Sequence, residues 1–284
     1  MEYLEAKPSP RLAGLIKCFW SIRSDVGSVG PEPVLPDGCP EIVFNLADRF
    51  RRIHPDGSHE TQAAAIVSGQ LRSSISIMPT GRVDLFGVRF HPSGAFPLLR
   101  TRMHELTDRV EALDSLIGYN GSEILEKIAA ADSFRNRMLE FERFLLRSLA
   151  GSVWSDDLPG RLSRIIIERR GQISISGLCA STGLGERRLE RTFQSFVGLS
   201  PKTFARIVRF QNVVRRIEQA ESTNLLDTAL DLGYYDQSHM IREFREFAGE
   251  SPLAYFEETH RISELFTTSA PVSDSYNTAE TPQR

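Results

Sequence analysis

The sequence predicts an α+β chain in two parts: a mainly β N-terminal domain followed by helices, then an all-α C-terminal domain with two helix-turn-helix units joined by a long helix. Three observations carry this. Short apolar runs separated by Gly/Pro/Asp turns fill the first ninety or so residues, and helical periodicity takes over after them. The pattern of residues 186–204, ERRLERTFQSFVGLSPKTF, recurs 51 positions further on in the stretch ending FREFAGESPLAY. A length of 284 residues suits two domains better than one.

From the N-terminus, the apolar stretch 12–20 ends in Cys18-Phe19-Trp20 and reads as a strand followed by a Gly/Ser/Pro loop. Leu35-Pro36-Asp37-Gly38-Cys39-Pro40 is a turn by its Pro-Asp-Gly core and leads into a β-rich run at 41–46. Residues 49–61, polar with Pro55-Asp56-Gly57, read as a hairpin loop, and 64–70, 74–78 and 83–90 as further strands. After His91-Pro92-Ser93-Gly94 helices are expected over 95–103, 108–117, 122–130 and 133–149, the last with an apolar stripe of Phe134, Met138, Phe141, Leu145 and Leu149. Residues 151–160 have linker composition, which divides the chain into a domain at 1–150 and a second at 161–262. The Ser/Thr/Pro-rich residues 263–284 are expected to be a disordered tail.

The second domain is read from its internal repeat. Leu189, Phe193 and Phe196 fall at i, i+4 and i+7 and line one helix face, as do Met240, Phe244 and Phe247 in the second copy. Gly198 and Gly249 stand where a helix closes through a left-handed residue, and Ser200-Pro201 and Ser251-Pro252 supply an N-cap followed by proline at the first helical position. Short helices over 176–182 and 224–232 precede the two seams and end at Gly183 and Gly233. Helix, tight glycine turn, helix is the helix-turn-helix pattern. Asp236 is an ordinary N-cap for the second recognition helix and Gly185 a weaker one for the first.

Composition narrows the classes. The charged fraction of 25% and hydrophobic fraction of 40% are those of a soluble globular protein, no apolar run reaches membrane-span length, and the start MEYLEAKP lacks the form of a signal peptide, so the cytoplasm is the expected location. Cys18, Cys39 and Cys179 are odd in number and far apart, which argues for free thiols and against a disulfide framework or a zinc site. No catalytic motif and no cofactor fingerprint is present.

The net charge of −3 hides an asymmetry. Between Arg161 and Ile217 twelve Lys/Arg face only Glu168, Glu186 and Glu190; between Glu218 and Arg261 ten carboxylates face Arg242, Arg245 and Arg261. A basic footprint for duplex DNA therefore lies on the first unit and the linking helix.

The constellation Ala229, Gly233-Tyr234, Asp236-Gln237-Ser238-His239, Arg242, Phe244, Gly249, Ser251-Pro252, Tyr255 resembles the signature of AraC/XylS-type transcriptional regulators, with Tyr234 where the family usually has Phe. The resemblance covers about residues 161–261. It implies binding to double-stranded DNA, contact with RNA polymerase in an activator, and no enzymatic role. The leading Phe-Trp, Leu35-Pro36-Asp37-Gly38-Cys39 and Gly87-Val88-Arg89-Phe90-His91-Pro92 resemble an uncharacterised domain found ahead of such DNA-binding domains, which implies a sensory or dimerising part, with a small-molecule effector and a homodimer as its partners.

Arg187, Glu190, Arg191 and Gln194 lie opposite the first seam, and the resemblance matches Arg187, Glu190 and Arg191 to base-reading positions. An arginine there suits guanine O6/N7 and a glutamate the cytosine amino group; the alternative is a solvated, self-paired face. The second helix offers Gln237 for adenine, Ser238, His239 for a phosphate or a structural hydrogen bond, and Arg242 for guanine or phosphate. Arg206 and Arg209 suit phosphate contacts and internal salt bridges equally. For an effector, the candidates are Trp20, Asp37, Glu41, Asn45, Arg89 and His91, each of which also has an ordinary structural reading. The competing class, a DNA-repair-type enzyme with a DNA-binding appendage, would need an activated cysteine, and neither Cys18 nor Cys39 has the Cys-x-x-Cys spacing or basic surroundings for one.

Overall fold

The computed structural model describes residues 1–25, 30–150, 158–218 and 224–257. The N-terminal part contains ten strands: β1 (Glu2–Ala6), β2 (Ile16–Ser24), β3 (Glu32–Val34), β4 (Glu41–Asn45), β5 (Phe50–Ile53), β6 (His59–Thr61), β7 (Ala65–Ser68), β8 (Ile75–Pro79), β9 (Val83–Phe90) and β10 (Val110–Ala112). They form two antiparallel sheets, one of six strands in the order β1-β2-β9-β4-β7-β10 and one of four in the order β3-β8-β5-β6.

Strand alternation divides the larger sheet into two faces. Phe19, Ile42, Phe44, Phe86, Val88 and Phe90 point to one side and pack against helices α1 (Phe96–Leu99), α3 (Tyr119–Ala130) and α4 (Phe134–Leu149), with α2 (Leu113–Ile117) at the edge. Phe141 is the hub, with its ring edge-on to Phe19 and Phe44. Each such side chain contributes about 1.5–3 kcal/mol on burial. Arg137 of α4 reaches the sheet at Asp84 through two hydrogen bonds of 2.7 and 3.1 Å. Cys18, Trp20, Ile22 and Leu85 point to the other side, towards Phe50 and Ile77 of the smaller sheet. Gly87 lies opposite Trp20 in the β2–β9 register, and a Cβ there would sit 1.9 Å from the indole, so only glycine admits the tryptophan.

The C-terminal part is all helix: α5 (Leu158–Glu168), α6 (Ile175–Thr182), α7 (Glu186–Phe196), α8 (Pro201–Glu218), α9 (Leu225–Asp231), α10 (Gln237–Ala248) and α11 (Pro252–Glu257). Leu189, Phe193, Phe204, Phe210, Met240, Phe244 and Phe247 form one core around α8. The apolar stripe of α4 belongs to its own domain, with Phe134, Phe141 and Leu145 buried in the sheet's core.

Several boundaries differ from expectation. Arg100 adopts a left-handed conformation (φ 51°) that ends α1 at Leu99, and a 3-10 turn over Met103–Leu106 replaces the rest of the helix expected over 95–103. The helix expected over 108–117 is instead β10 and the short α2, because Val110, Glu111 and Ala112 pair with Ser68, Val67 and Ile66 at the sheet edge. The loop expected over 49–61 is a strand hairpin, β5–β6, turning at Gly57 (φ 82°). Of the linker expected over 151–160, residues 158–160 open α5 and the rest lie outside the described residues, as does the tail at 263–284.

Candidate nucleic-acid interface and inter-sheet cavity

Each helix-turn-helix unit is assembled from local signals. In the first, Ser174 caps α6 by accepting from Gly177 N at 3.0 Å, and Gly183 closes it at φ 69°. α7 starts from Gly185 without a side-chain cap. In the second, Asn224 caps α9, and Asp236 caps α10 by accepting from His239 N at 2.7 Å. Gly249 closes α10 at φ 90°. Ser200 and Ser251 cap the helices that follow, accepting from Thr203 N and Ala254 N.

With Leu189 and Phe193 buried, α7 presents Arg187, Arg191 and Gln194 to solvent, and the half-buried Glu190 accepts from Gln194 at 3.0 Å. On α10, Ser238 and Arg242 are exposed and Gln237 and His239 half-exposed, with the imidazole of His239 edge-on to Tyr234 at 5.4 Å. These eight residues occupy the outward faces of two helices whose seams share α8 as backing.

Arg209 is placed differently from the other candidates. Its guanidinium bonds Glu243 at 2.9 Å and lies 4.3 Å over the Tyr234 ring, while Arg206 bonds Glu243 at 2.8 Å and Glu246 at 2.5 Å. Glu243 is 3% exposed, so the two guanidinium groups neutralise a buried carboxylate. Hydrogen bonding to Arg206 holds the Glu246 carboxyl below its usual range. Arg206 and Arg209 both form the internal salt bridge to Glu243, one of the two roles their sequence position allows.

The effector candidates Trp20, Asp37, Glu41, Asn45 and Arg89 come together on the wall of a cavity of ≈ 90 Å³ between the two sheets; His91 is not on that wall. Alternation along β4 aims Glu41, Val43 and Asn45 into it, and the β4–β9 register sets Glu41 beside Arg89. Arg89 bonds Glu41 and lies 3.5 Å from Asp37. Burial drives the Glu41 carboxyl up, against the pull of Arg89. Burial also pushes the Cys18 thiol up to about 12 and the Cys39 thiol up to about 11, so both are protonated near neutral pH.

Sequence reasoning missed Leu35 and Gln211. Gln211 of α8 lines the cavity and donates to the Pro36 carbonyl at 2.8 Å, and Leu35 is buried in the C-terminal core. Gly38 (φ 78°) abuts Phe204, and its carbonyl accepts from Gln70. The segment 35–39 thus touches the cavity on one side and α8 on the other. The N-terminal part also grips the ends of both recognition helices: Thr107 donates to Gly198 O at 2.6 Å after α7, Ser74 donates to Phe247 O and Ala248 O at 2.7 and 2.9 Å at the end of α10, and Phe96 meets Phe196 at 4.5 Å. No local pattern announces such contacts, because their partners are 91 to 175 positions apart.

Among the described residues no helix is long and apolar enough to cross a membrane. Family models match a domain of unknown function (DUF6597) over residues 4–112 and a helix-turn-helix domain over residues 178–258. The chain is 30% identical over 109 residues to the regulatory protein HrpB of Ralstonia nicotianae, covering 34% of this chain and 23% of that protein. It is 27% identical over 106 residues to the HTH-type transcriptional regulator MtrA of Neisseria gonorrhoeae, covering 37% and 35% respectively. The chain thus spans about a quarter to a third of the length of these curated relatives. Among solved structures, ToxT from Vibrio cholerae aligns over 89% of this chain and 99% of that one with 11% identity and a TM-score of 0.47. A probable AraC family transcriptional regulator from Rhodopseudomonas palustris aligns over 36% and 96% with 28% identity and a TM-score of 0.33.

Proposed function

We propose that this chain, whose C-terminal domain belongs to the AraC-type helix-turn-helix family, is a sequence-specific DNA-binding transcriptional regulator with a small-molecule sensor at its N-terminus. The observation that carries the reading is the duplicated, outward polar face of α7 and α10 on one shared backing helix. Arg187, Glu190, Arg191 and Gln194 read one major-groove segment; Gln237, Ser238, His239 and Arg242 read or brace the next, about one helical turn (~34 Å) along the duplex. Arg209, also a candidate phosphate contact, holds α10 to α8 in this reading.

The sensor is the inter-sheet cavity. A ligand against Asp37 or Glu41 displaces the segment 35–39, which bears on Gln211 and Phe204 of the helix that sets the spacing of the two reading heads. Homodimerisation, RNA polymerase contact in activation and a cytoplasmic site of action belong to the same proposal. A repair-type enzyme fits less well, since Cys18 is buried and both thiols are held protonated where a nucleophile must be activated, Cys39 even with Lys17 Nζ 3.8 Å from its sulfur, a basic neighbour the sequence did not announce.

Fluorescence-anisotropy titration against a duplex from upstream of the protein's own gene and a scrambled duplex, at several salt concentrations, tests this. Preferential binding is expected, with affinity falling steeply with salt and weakened by about 1–3 kcal/mol in Arg191→Ala. Equal, weak binding to both duplexes would contradict sequence-specific regulation at that site.

A further inference from the structure

The wall of the inter-sheet cavity is uneven in its hydrogen-bonding capacity. Asn45 is 3% exposed and its Nδ2 donates to the Ala63 carbonyl at 3.2 Å, which fixes the amide orientation and leaves Oδ1 as the acceptor. That oxygen is buried and receives no hydrogen bond. A buried acceptor left unmet is costly in a native interior and calls for an occupant. The carboxylates of Asp37 and Glu41 stand on the same wall, and Arg89, between them, is engaged by both. Gln211, the amide on the far side, already donates to Pro36 O. Acceptors at the polar end therefore outnumber committed donors, and an incoming carboxylate would meet two of its own kind. The remaining wall is mostly apolar, with Trp20, Phe50, Ile66, Ile77 and Leu85, and carries Gln62 and Ser68 besides. The volume of ≈ 90 Å³ is below the ~150 Å³ of an apolar cavity known to admit benzene.

We propose that the cavity takes a small, largely apolar molecule carrying one hydrogen-bond donor, an alcohol or primary amine no larger than benzene, whose O–H or N–H is received by Asn45 Oδ1. The inference rests on the reading of the cavity as the sensor site and specifies its ligand class. It disfavours simple carboxylates as occupants, because Arg89, the cation on that wall, is already bridged by Asp37 and Glu41.

The test uses the full chain and three matched probes, 1-butanol, n-butylamine and butyrate, with binding followed by saturation-transfer NMR up to tens of millimolar. Butanol is expected to bind at least tenfold more tightly than butyrate, and Asn45→Leu to weaken butanol binding at least tenfold while leaving butyrate binding within about twofold; the melting transition shows whether the variant is folded, and Asn45→Ser serves as the second variant if it is not. Butyrate binding as tightly as the donors would overturn the ligand class while leaving a sensor cavity standing. Butanol affinity unchanged by both Asn45 substitutions would overturn the role of Asn45. No binding of any probe would overturn this inference and the sensor reading with it, whereas the DNA titration above would be unaffected.

Discussion

In the first helix-turn-helix unit the charges of the recognition helix point outward, with Arg187, Arg188 and Arg191 exposed on α7. In the second, Glu243 of α10 turns inward to Arg206 and Arg209 on α8 while the exposed Glu246 pairs with Arg206, and the exposed cations are Arg242 and Arg245. The two units share a seam, a glycine turn and a Ser-Pro exit, yet one leaves its charges in solvent and the other pairs part of its charge with its own linking helix. The acidic balance after Glu218 is thus partly structural. Two of its ten carboxylates clamp the second unit to the long helix, which a purely electrostatic reading of the sequence treats as repulsion from DNA.

The largest expected effect breaks that clamp. Glu243→Ala leaves two guanidinium groups without their buried partner and is expected to cost about 3–5 kcal/mol in urea unfolding. A loss below about 1 kcal/mol would mean that the pair is solvated and the contrast between the units overstated. Next in size, each charge reversal of an exposed recognition-helix arginine removes a contact worth about 1–3 kcal/mol in duplex binding. Arg191→Glu is expected to cost more affinity and flatten the salt dependence more than Arg242→Glu; equal losses would sink the assignment of the footprint to the first unit.

Smaller effects sharpen the comparison. Asp236→Ala removes the cap of α10 and is expected to lower stability by about 1 kcal/mol, whereas Gly185→Ser supplies the cap α7 lacks and raises it by a few tenths, about 0.3 kcal/mol, both read by chemical denaturation. Smallest is a pH effect confined to the second unit. The folded-state carboxyl of Glu246 is held low by Arg206, so its contribution is fully present above the unfolded value of about 4.3 and is lost as pH falls through the lowered folded value. Thermal midpoints followed from pH 6 to 3.5 should show a component that Glu246→Gln removes.

The C-terminal domain was legible because its signals are local. Leu189/Phe193 spacing, Gly183 and Gly249 at positive φ and the serine caps each act within one helical turn, so their reading carried over to the structure. The N-terminal domain depends on pairing between distant strands. β1 was not anticipated, since its alternation of Glu2, Tyr3, Leu4 and Glu5 is weak and only the register with β2 defines it. β10 sits in a Glu/Ala/Leu stretch with helical propensity that edge pairing with β7 overrides. The cavity candidates were nameable one by one, but that Glu41 and Asn45 share one face of β4 is given by the strand itself. Their meeting with Trp20, Asp37 and Arg89 needed the β2–β9–β4 order. The segment 35–39 looked like a turn and is one, but its bearing on α8 through Gln211 is a tertiary fact without a sequence pattern.

Hydroxyl-radical footprinting of the full chain on a duplex it prefers over scrambled DNA tests the two-headed arrangement most directly. Two protected segments on one face of the helix, about 10 base pairs apart, are expected, with Arg191→Glu weakening one and Arg242→Glu the other. A single protected segment, unchanged by Arg242→Glu, would contradict the account of α10 as a second reading head.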